Sequence, residues 1–261
     1  MNYVEVKIGK NFWLVPDYIS KHKTYNLAIN PEPTFKFARR KPPVKEHSNT
    51  YFIDLNVKKE IFKDKVVVDI CSGAEVLLDE IAEISKKLIR VDTEYTDYTK
   101  IERILYQSKF PEKYEFNSSS AFSISLPDNV ADIVIEDWGT FYYFQPIIFP
   151  SPFHRETSRG IENIFFDEAL DNDQKCRIKQ GLYSFLKSVD EKIRITKNQG
   201  TIIMGPHIDC SSLKLYNEIL KPSLDNFVNQ GRIELDDKLV PSIINYPPYD
   251  KIIDSIKITR N

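Results

Sequence analysis

What most constrains the fold of this chain is one short apolar run that breaks on a glycine turn. Lys65-Val66-Val67-Val68-Asp69-Ile70 is continuous and β-branched, which suits a strand covered on both faces rather than one alternating between core and water. Cys71-Ser72-Gly73-Ala74-Glu75 follows at once; a small residue there permits the sharp passage from strand to helix and lets the backbone approach a ligand closely. Val76, Leu77, Ile81, Ile84 and Leu88 then recur at helical spacing with charges between them, which predicts a helix. Strand, tight turn and helix form the opening unit of an open α/β sheet, in which ligands bind beyond the carboxyl ends of the strands, beside the first one.

The rest of the chain repeats the alternation. Residues 88–93 read as a second strand, 99–108 as a short helix and 114–117 as a third strand. Ala131-Asp132-Ile133-Val134-Ile135, entered through the turn Pro127-Asp128-Asn129, reads as a fourth, buried strand. Ile178, Leu182, Phe185, Leu186 and Val189 line one face of a helix over residues 174–192. The turn Gln199-Gly200 leads into a fifth strand at 201–204, then a helix at 213–229 and strands near 233–235 and 252–258. Alternating strands and helices imply a mostly parallel sheet with helices on both faces, and the two final strands allow a closing hairpin at one edge.

Two stretches stand apart. Residues 1–60 begin with aromatics (Phe12, Trp13, Tyr18, Tyr25, Phe35, Phe37) among prolines and the basic run Arg39-Arg40-Lys41, without a helical or alternating period. They are expected to pack as a lid segment on a domain spanning 61–261, which carries an irregular aromatic and proline-rich insertion at about 139–171. With 261 residues the chain accommodates one α/β domain and such additions, but not two full domains.

Composition narrows the function. The formal charge of -2 supplies no long-range field for a polyanion, so nucleic acid is not the expected partner, and Arg39-Arg40-Lys41 reads as a solvated surface. Cys71, Cys176 and Cys210 are odd in number and far apart, which suggests neither a disulfide framework nor a zinc site, and Cys71 reads as core packing. No apolar run approaches membrane-spanning length, and the charged start MNYVEVKIGK lacks the apolar core of a signal peptide. The expected setting is cytoplasmic, away from membranes.

The chemistry gathers at the turn. Asp92 lies nineteen positions past Gly73, at the end of the second strand, where a carboxylate can accept both hydroxyls of a ribose. At these residues the sequence resembles the class I S-adenosylmethionine-dependent methyltransferases, whose first motif reads D-x-G-x-G-x-G or D-x-C-x-G-x-G. Asp69 matches the acid, Cys71 the variant position, Gly73 the middle glycine and Asp92 the ribose-binding acid. Leu126-Pro127-Asp128-Asn129-Val130-Ala131-Asp132-Ile133-Val134 resembles the family's entry to strand four, and Lys197-Asn198-Gln199-Gly200-Thr201-Ile202-Ile203 its turn into strand five. The resemblance covers Phe62 to the last residue. It implies a Rossmann-like, seven-stranded, mostly parallel sheet with a closing antiparallel strand, S-adenosylmethionine as cofactor, and a cofactor site including Asp69, Cys71, Ser72, Gly73, Glu75, Asp92, Thr93, Ser119 and Glu136.

Two departures bear on that site. Glu75 takes the place of the third glycine, where it either accepts a hydrogen bond from the cofactor's ammonium or fills the site. After strand three the family often has an acid for the adenine amine; this chain has Asn117-Ser118-Ser119-Ser120-Ala121, whose hydroxyls or backbone can substitute.

Further candidates sit beyond strands four and five. Asp137 and His207 are the candidate general bases, against the bland readings of a loop cap and a solvated imidazole. Trp138, His154, Arg155 and Arg159 are candidate substrate contacts, the arginines for an anionic group. His22 and His47 are expected to take no part in the chemistry. Asn245-Tyr246-Pro247-Pro248-Tyr249 echoes the N-P-P-Y motif of amino-group methyltransferases but lies far from strand four, and reads as a proline turn. The function expected is methyl transfer to an oxygen or nitrogen of a small polar or anionic molecule, without a metal, by a monomer or homodimer. The alternatives are a catalytically silent binding or scaffold domain of the same fold, and a nucleic-acid or protein methyltransferase.

Overall fold

The computed structural model describes residues 3–8, 11–16, 44–55, 57–73, 76–137, 172–205, 221–236, 241–242, 252–253 and 256–261. Strands β1 (Tyr3–Ile8) and β2 (Asn11–Pro16) pair antiparallel as a hairpin. The short strand β3 (Lys45–Glu46) and helix α1 (Ser48–Asp54) follow. The αβ alternation then runs through β4 (Val66–Ile70), β5 (Val76–Leu77), α2 (Asp79–Ile84), β6 (Lys87–Val91), α3 (Tyr98–Gln107), β7 (Tyr114–Asn117) and β8 (Ala131–Asp137). It continues through α4 (Asn172–Ile195), β9 (Thr196–Gly205), α5 (Lys221–Asn229), β10 (Ile233–Asp236), β11 (Pro241–Ser242), β12 (Ile252–Ile253) and β13 (Ile256–Arg260).

The main sheet has seven strands in the order β10-β13-β9-β8-β4-β6-β7. β4 pairs parallel with both β6 and β8, β6 with β7 and β8 with β9, whereas β13 runs antiparallel to both β9 and β10. The order reverses at β4: the chain steps outward through β6 and β7, then returns to the other side of β4 as β8. A crevice opens at such a point beyond the carboxyl ends of the strands.

Each strand is apolar on both faces because each face is covered. Val68, Ile70, Ile89, Val91, Val134, Ile202 and Met204 pack against α4 and α5 through Phe185, Val189, Ile193, Leu224 and Phe227. Val67, Leu88, Ile133, Ile135 and Ile203 pack on the other face against Ile81, Ile101, Ile104, Leu105, Tyr51 and Leu55 from α2, α3 and α1. The strict alternation between the two sets is the period-two signature of extended chain.

Some elements differ from expectation. The helix foreseen from Val76 begins only at Asp79, because Val76 and Leu77 extend as β5 and pair parallel with Lys45 and Glu46. Side chains cap that delayed start: Glu46 Oε2 accepts the Asp79 amide at 2.8 Å, and the Tyr114 hydroxyl accepts the Leu78 amide at 2.8 Å. The fifth strand starts at Thr196 rather than 201, with Ala131 opposite Thr196 and Ile133 opposite Thr201, so residues 197–200 bulge out of the ladder. The helix expected over 213–229 is described from Lys221 onward. Residues 245–249, Arg39-Arg40-Lys41, His22 and the whole 139–171 insertion lie outside the described residues.

Candidate functional site

The turn after β4 is built on two left-handed residues. Cys71 has φ +57° and Gly73 φ +59°, a conformation in which a side chain crowds the backbone. Cys71 tolerates it while half-buried against the core. Among the described residues, a Cβ on Gly73 would meet nothing within 4 Å. Glycine is therefore needed for its φ, and the described residues leave the space above it open.

Asp92, directly after β6, secures the turn. Its Oδ2 accepts the Gly73 amide at 3.0 Å and its Oδ1 the Glu94 amide at 2.9 Å, while its own amide donates to Asn117 O at 3.1 Å. One residue, through its carboxylate and its amide, thus ties the ends of three neighbouring strands together, and each carboxylate oxygen keeps a lone pair for a further donor. Thr93 is exposed beside it.

Asp69 lies one layer down, with a fully buried side chain. Its Oδ2 is 3.4 Å from Arg90 Nε and accepts the Tyr51 hydroxyl at 3.4 Å. Its Oδ1 has no hydrogen-bond partner among the described residues. Burial pushes its carboxyl up to about 7, against the opposing pull of the Arg90 guanidinium. The Tyr51 phenol is raised well above its ordinary value, by burial first and then by the carboxylates of Asp69 and Asp137. Asp137 thus reaches the same face of the sheet from the end of β8.

Arg90 is the residue that the sequence reading passed over. It pairs in register with Asp69 and is completely buried. Its Nη1 donates to Val76 O at 2.6 Å, and its Nη2 to Gly73 O at 3.0 Å and to Ser72 O. Tyr95 joins it, donating its hydroxyl to Gly73 O at 2.9 Å and sharing a 2.7 Å hydrogen bond with Ser72 Oγ. A charged residue within Leu88-Ile89-Arg90-Val91 was the available signal, since a buried strand carries a charge only where partners meet it.

At the end of β7, Asn117 is buried and accepts the Ser119 and Ser125 hydroxyls, and Ser119 Oγ in turn accepts the Ser125 amide at 3.2 Å. Ser119 is thus tied into the loop. Its neighbour Ser118 has a buried Oγ with no hydrogen-bond partner among the described residues. Glu136 is fully buried and paired with Lys192 of α4, whose Nζ also reaches Ser188 Oγ. It lies on the face opposite Asp69 and Asp137, as alternation along β8 requires. The structure therefore brings Asp69, Cys71, Ser72, Gly73, Asp92 and Asp137 together at the carboxyl ends of β4, β6 and β8, with Ser119 at the β7 side and Glu136 on the opposite face of the sheet. Glu75, Trp138, His154, Arg155, Arg159 and His207 lie outside the described residues.

The residues present fit the cofactor that the resemblance implies. The unpartnered Asp69 Oδ1 suits a cationic group, the open space above Gly73 admits a ligand, Asp92 retains acceptor capacity for hydroxyls, and Ser118 Oγ lies unpartnered by the far strand. Among the described residues no group of three or more His, Cys, Asp or Glu could hold a metal ion.

No protein-family model and no curated protein matches the sequence. In structure the chain is similar to N-methyltransferase NodS from Bradyrhizobium japonicum WM9, at 10% identity and a TM-score of 0.49, covering 87% of this chain and 99% of that one. It is similar to a SAM-dependent methyltransferase from Methanosarcina mazei, at 14% identity and a TM-score of 0.47, over 76% and 93% of the two chains. A third similar structure is an rRNA methylase from Streptococcus thermophilus, at 13% identity and a TM-score of 0.40, over 84% and 97%. The strand order speaks without them: a doubly wound sheet switches direction at β4 and inserts its last strand antiparallel between β9 and β10. The chain has a Rossmann-like fold, a seven-stranded, mostly parallel sheet covered on both faces and closed by an antiparallel strand.

Proposed function

We propose that this chain is an S-adenosylmethionine-dependent methyltransferase acting on an oxygen or nitrogen of a small polar or anionic molecule. The observation that carries the reading is the open turn at Gly73, fastened by Asp92 and backed by the unpartnered Asp69 oxygen. Asp69, Cys71, Ser72 and Gly73 would hold the amino-acid end of the cofactor, Asp92 and Thr93 its ribose, and Ser118 and Ser119 the neighbourhood of its base. Bound there, the cofactor supplies an already activated sulfonium methyl group.

The chain's own task is then to align the acceptor in line with that methyl, exclude water and take up a proton. Asp137 is the first candidate base for it, since it lies at the carboxyl end of β8 on the same face as Asp69. His207 is the second candidate base, from the segment after β9. Trp138, His154, Arg155 and Arg159 would contact the acceptor, with residues 1–60 and the 139–171 insertion covering the pocket. The near-neutral charge favours a small acceptor over a nucleic acid. No helix among the described residues is long and apolar enough to cross a membrane, in keeping with a cytoplasmic enzyme.

Calorimetric titration of S-adenosylmethionine and S-adenosylhomocysteine into the wild-type protein and Asp92→Ala tests the reading. Micromolar binding that weakens at least tenfold in the variant is expected (about 1.4 kcal/mol or more, the scale of hydrogen bonds to a charged group). No binding by the wild type would leave a silent binding domain of the same fold.

A further inference from the structure

We propose that Arg90 and Tyr95 are positioning residues that hold the turn at Ser72–Gly73 in its ligand-accepting form, a role resting on the cofactor reading above. The turn is short of the glycines that usually shape such a loop: Cys71 and Glu75 occupy two of the three positions where the family pattern has glycine. Its conformation must therefore be imposed from outside. The carbonyls of Ser72, Gly73 and Val76 all accept from the buried Arg90 guanidinium, and the Gly73 carbonyl also accepts from Tyr95. Arg90 reaches three carbonyls and the Asp69 carboxylate at once, a set that a planar five-donor fork can satisfy and a lysine's ammonium cannot. The Gly73 amide is meanwhile committed to Asp92.

All three grips on the turn come from one segment, residues 90–95. Tyr95 is itself fixed, buried edge-on against Phe116 with ring centroids 5.0 Å apart. β6 and the residues after it thus form a cradle in which the turn is cast before any ligand arrives. Preorganisation of this kind lowers the ordering cost of binding. It gives Arg90 a role without contact to the ligand.

The test compares wild type with Arg90→Lys, Arg90→Gln and Tyr95→Phe by S-adenosylhomocysteine calorimetry and by amide hydrogen exchange of the ligand-free proteins. Arg90→Lys is expected to weaken binding on the order of 10- to 100-fold, the scale of a misplaced site, and Tyr95→Phe about fivefold, the loss of one neutral hydrogen bond. Exchange should quicken at residues 71–77 while the β9 core at 202–204 keeps its protection. A pH series separates positioning from general loosening. Asp69 is faced by Tyr51 from α1, by Arg90 and by Asp92, so Arg90→Gln should move the midpoint of any pH-dependent binding upward. A loosened fold would lower affinity equally at every pH. Wild-type affinity and unchanged exchange at 71–77 in both Arg90→Lys and Tyr95→Phe would overturn the proposal and leave the cofactor reading standing. A wild type that binds nothing overturns the cofactor reading, and the exchange data then decide by themselves whether Arg90 orders the turn.

Discussion

Glu102 shows at the scale of one residue what burial costs without a partner. It lies in α3 at 3% exposure, and its Oε2 has no hydrogen-bond partner among the described residues. Burial pushes its carboxyl up to about 7. A carboxyl whose folded value exceeds its unfolded one binds more protons in the native state, so stability falls as pH rises from about 4 to about 7. Glu102→Gln, neutral throughout, should therefore match wild type near pH 4.5 and exceed it above pH 7 by on the order of 1 kcal/mol. Urea unfolding at pH 5 and pH 8 measures the difference, and equal offsets at both would refute the burial account. Single residues also differ in how openly the sequence announces them. Asp69, Gly73 and Asp92 were legible because strand, turn and spacing fix where they fall. Arg90 and Tyr95 were not, since their role depends on strand register and on which carbonyls turn inward, neither of which a linear spacing encodes.

Among elements, the pairing of β9 with β8 shows how one bulge fixes a residue type. Residues 197–200 leave the ladder through Gln199 at φ +62°, pairing resumes at Thr201, and the bulge ends on Gly200. A Cβ there would stand 2.6 Å from Thr196 Cγ2, 2.8 Å from Lys197 O and 3.0 Å from Asp132 O. Two of these neighbours are backbone and cannot step aside. Gly200→Ala should cost about 2 kcal/mol, within the range for overpacking, read as a lower urea midpoint at unchanged slope. The bulge is further pinned by Lys197, 2.7 Å from Asp132, which also accepts the Val66 amide. Burial alone would raise the Asp132 carboxyl, but these two hydrogen bonds hold it below its usual range. The core strands β4 and β8 were readable from composition, because strands covered on both faces need nearly unbroken apolar runs. The β3–β5 pair was not: a two-residue strand has no period, and Val76 and Leu77 fit a helical spacing equally well.

For the whole molecule, residues 44–55 fasten the N-terminal part of the chain to the sheet. Val44, Tyr51 and Leu55 are buried in the same cluster as β4, β6 and β8, and Tyr51 reaches Asp69. Residues 44–55 thus belong to the core even though their sequence lacks a clear period. Removing residues 1–43 should leave cooperative unfolding intact. Removing 1–60 deletes three buried apolar side chains worth about 1.5–3 kcal/mol each, a large part of the 5–15 kcal/mol typical of a domain. Thermal melts of the two truncations, expected to differ by at least ~10 °C, check this.

The antiparallel insertion of β13 has a consequence for biosynthesis. β10 touches the main sheet only through β13, which follows it in the chain and lies between it and β9. A nascent chain that has emerged as far as β10 therefore holds a strand with no neighbour to pair with. Sheet closure must wait until the ribosome has delivered residues 256–260. Until then the exposed flank of β9 is open to capture by chaperones or by other unfinished chains.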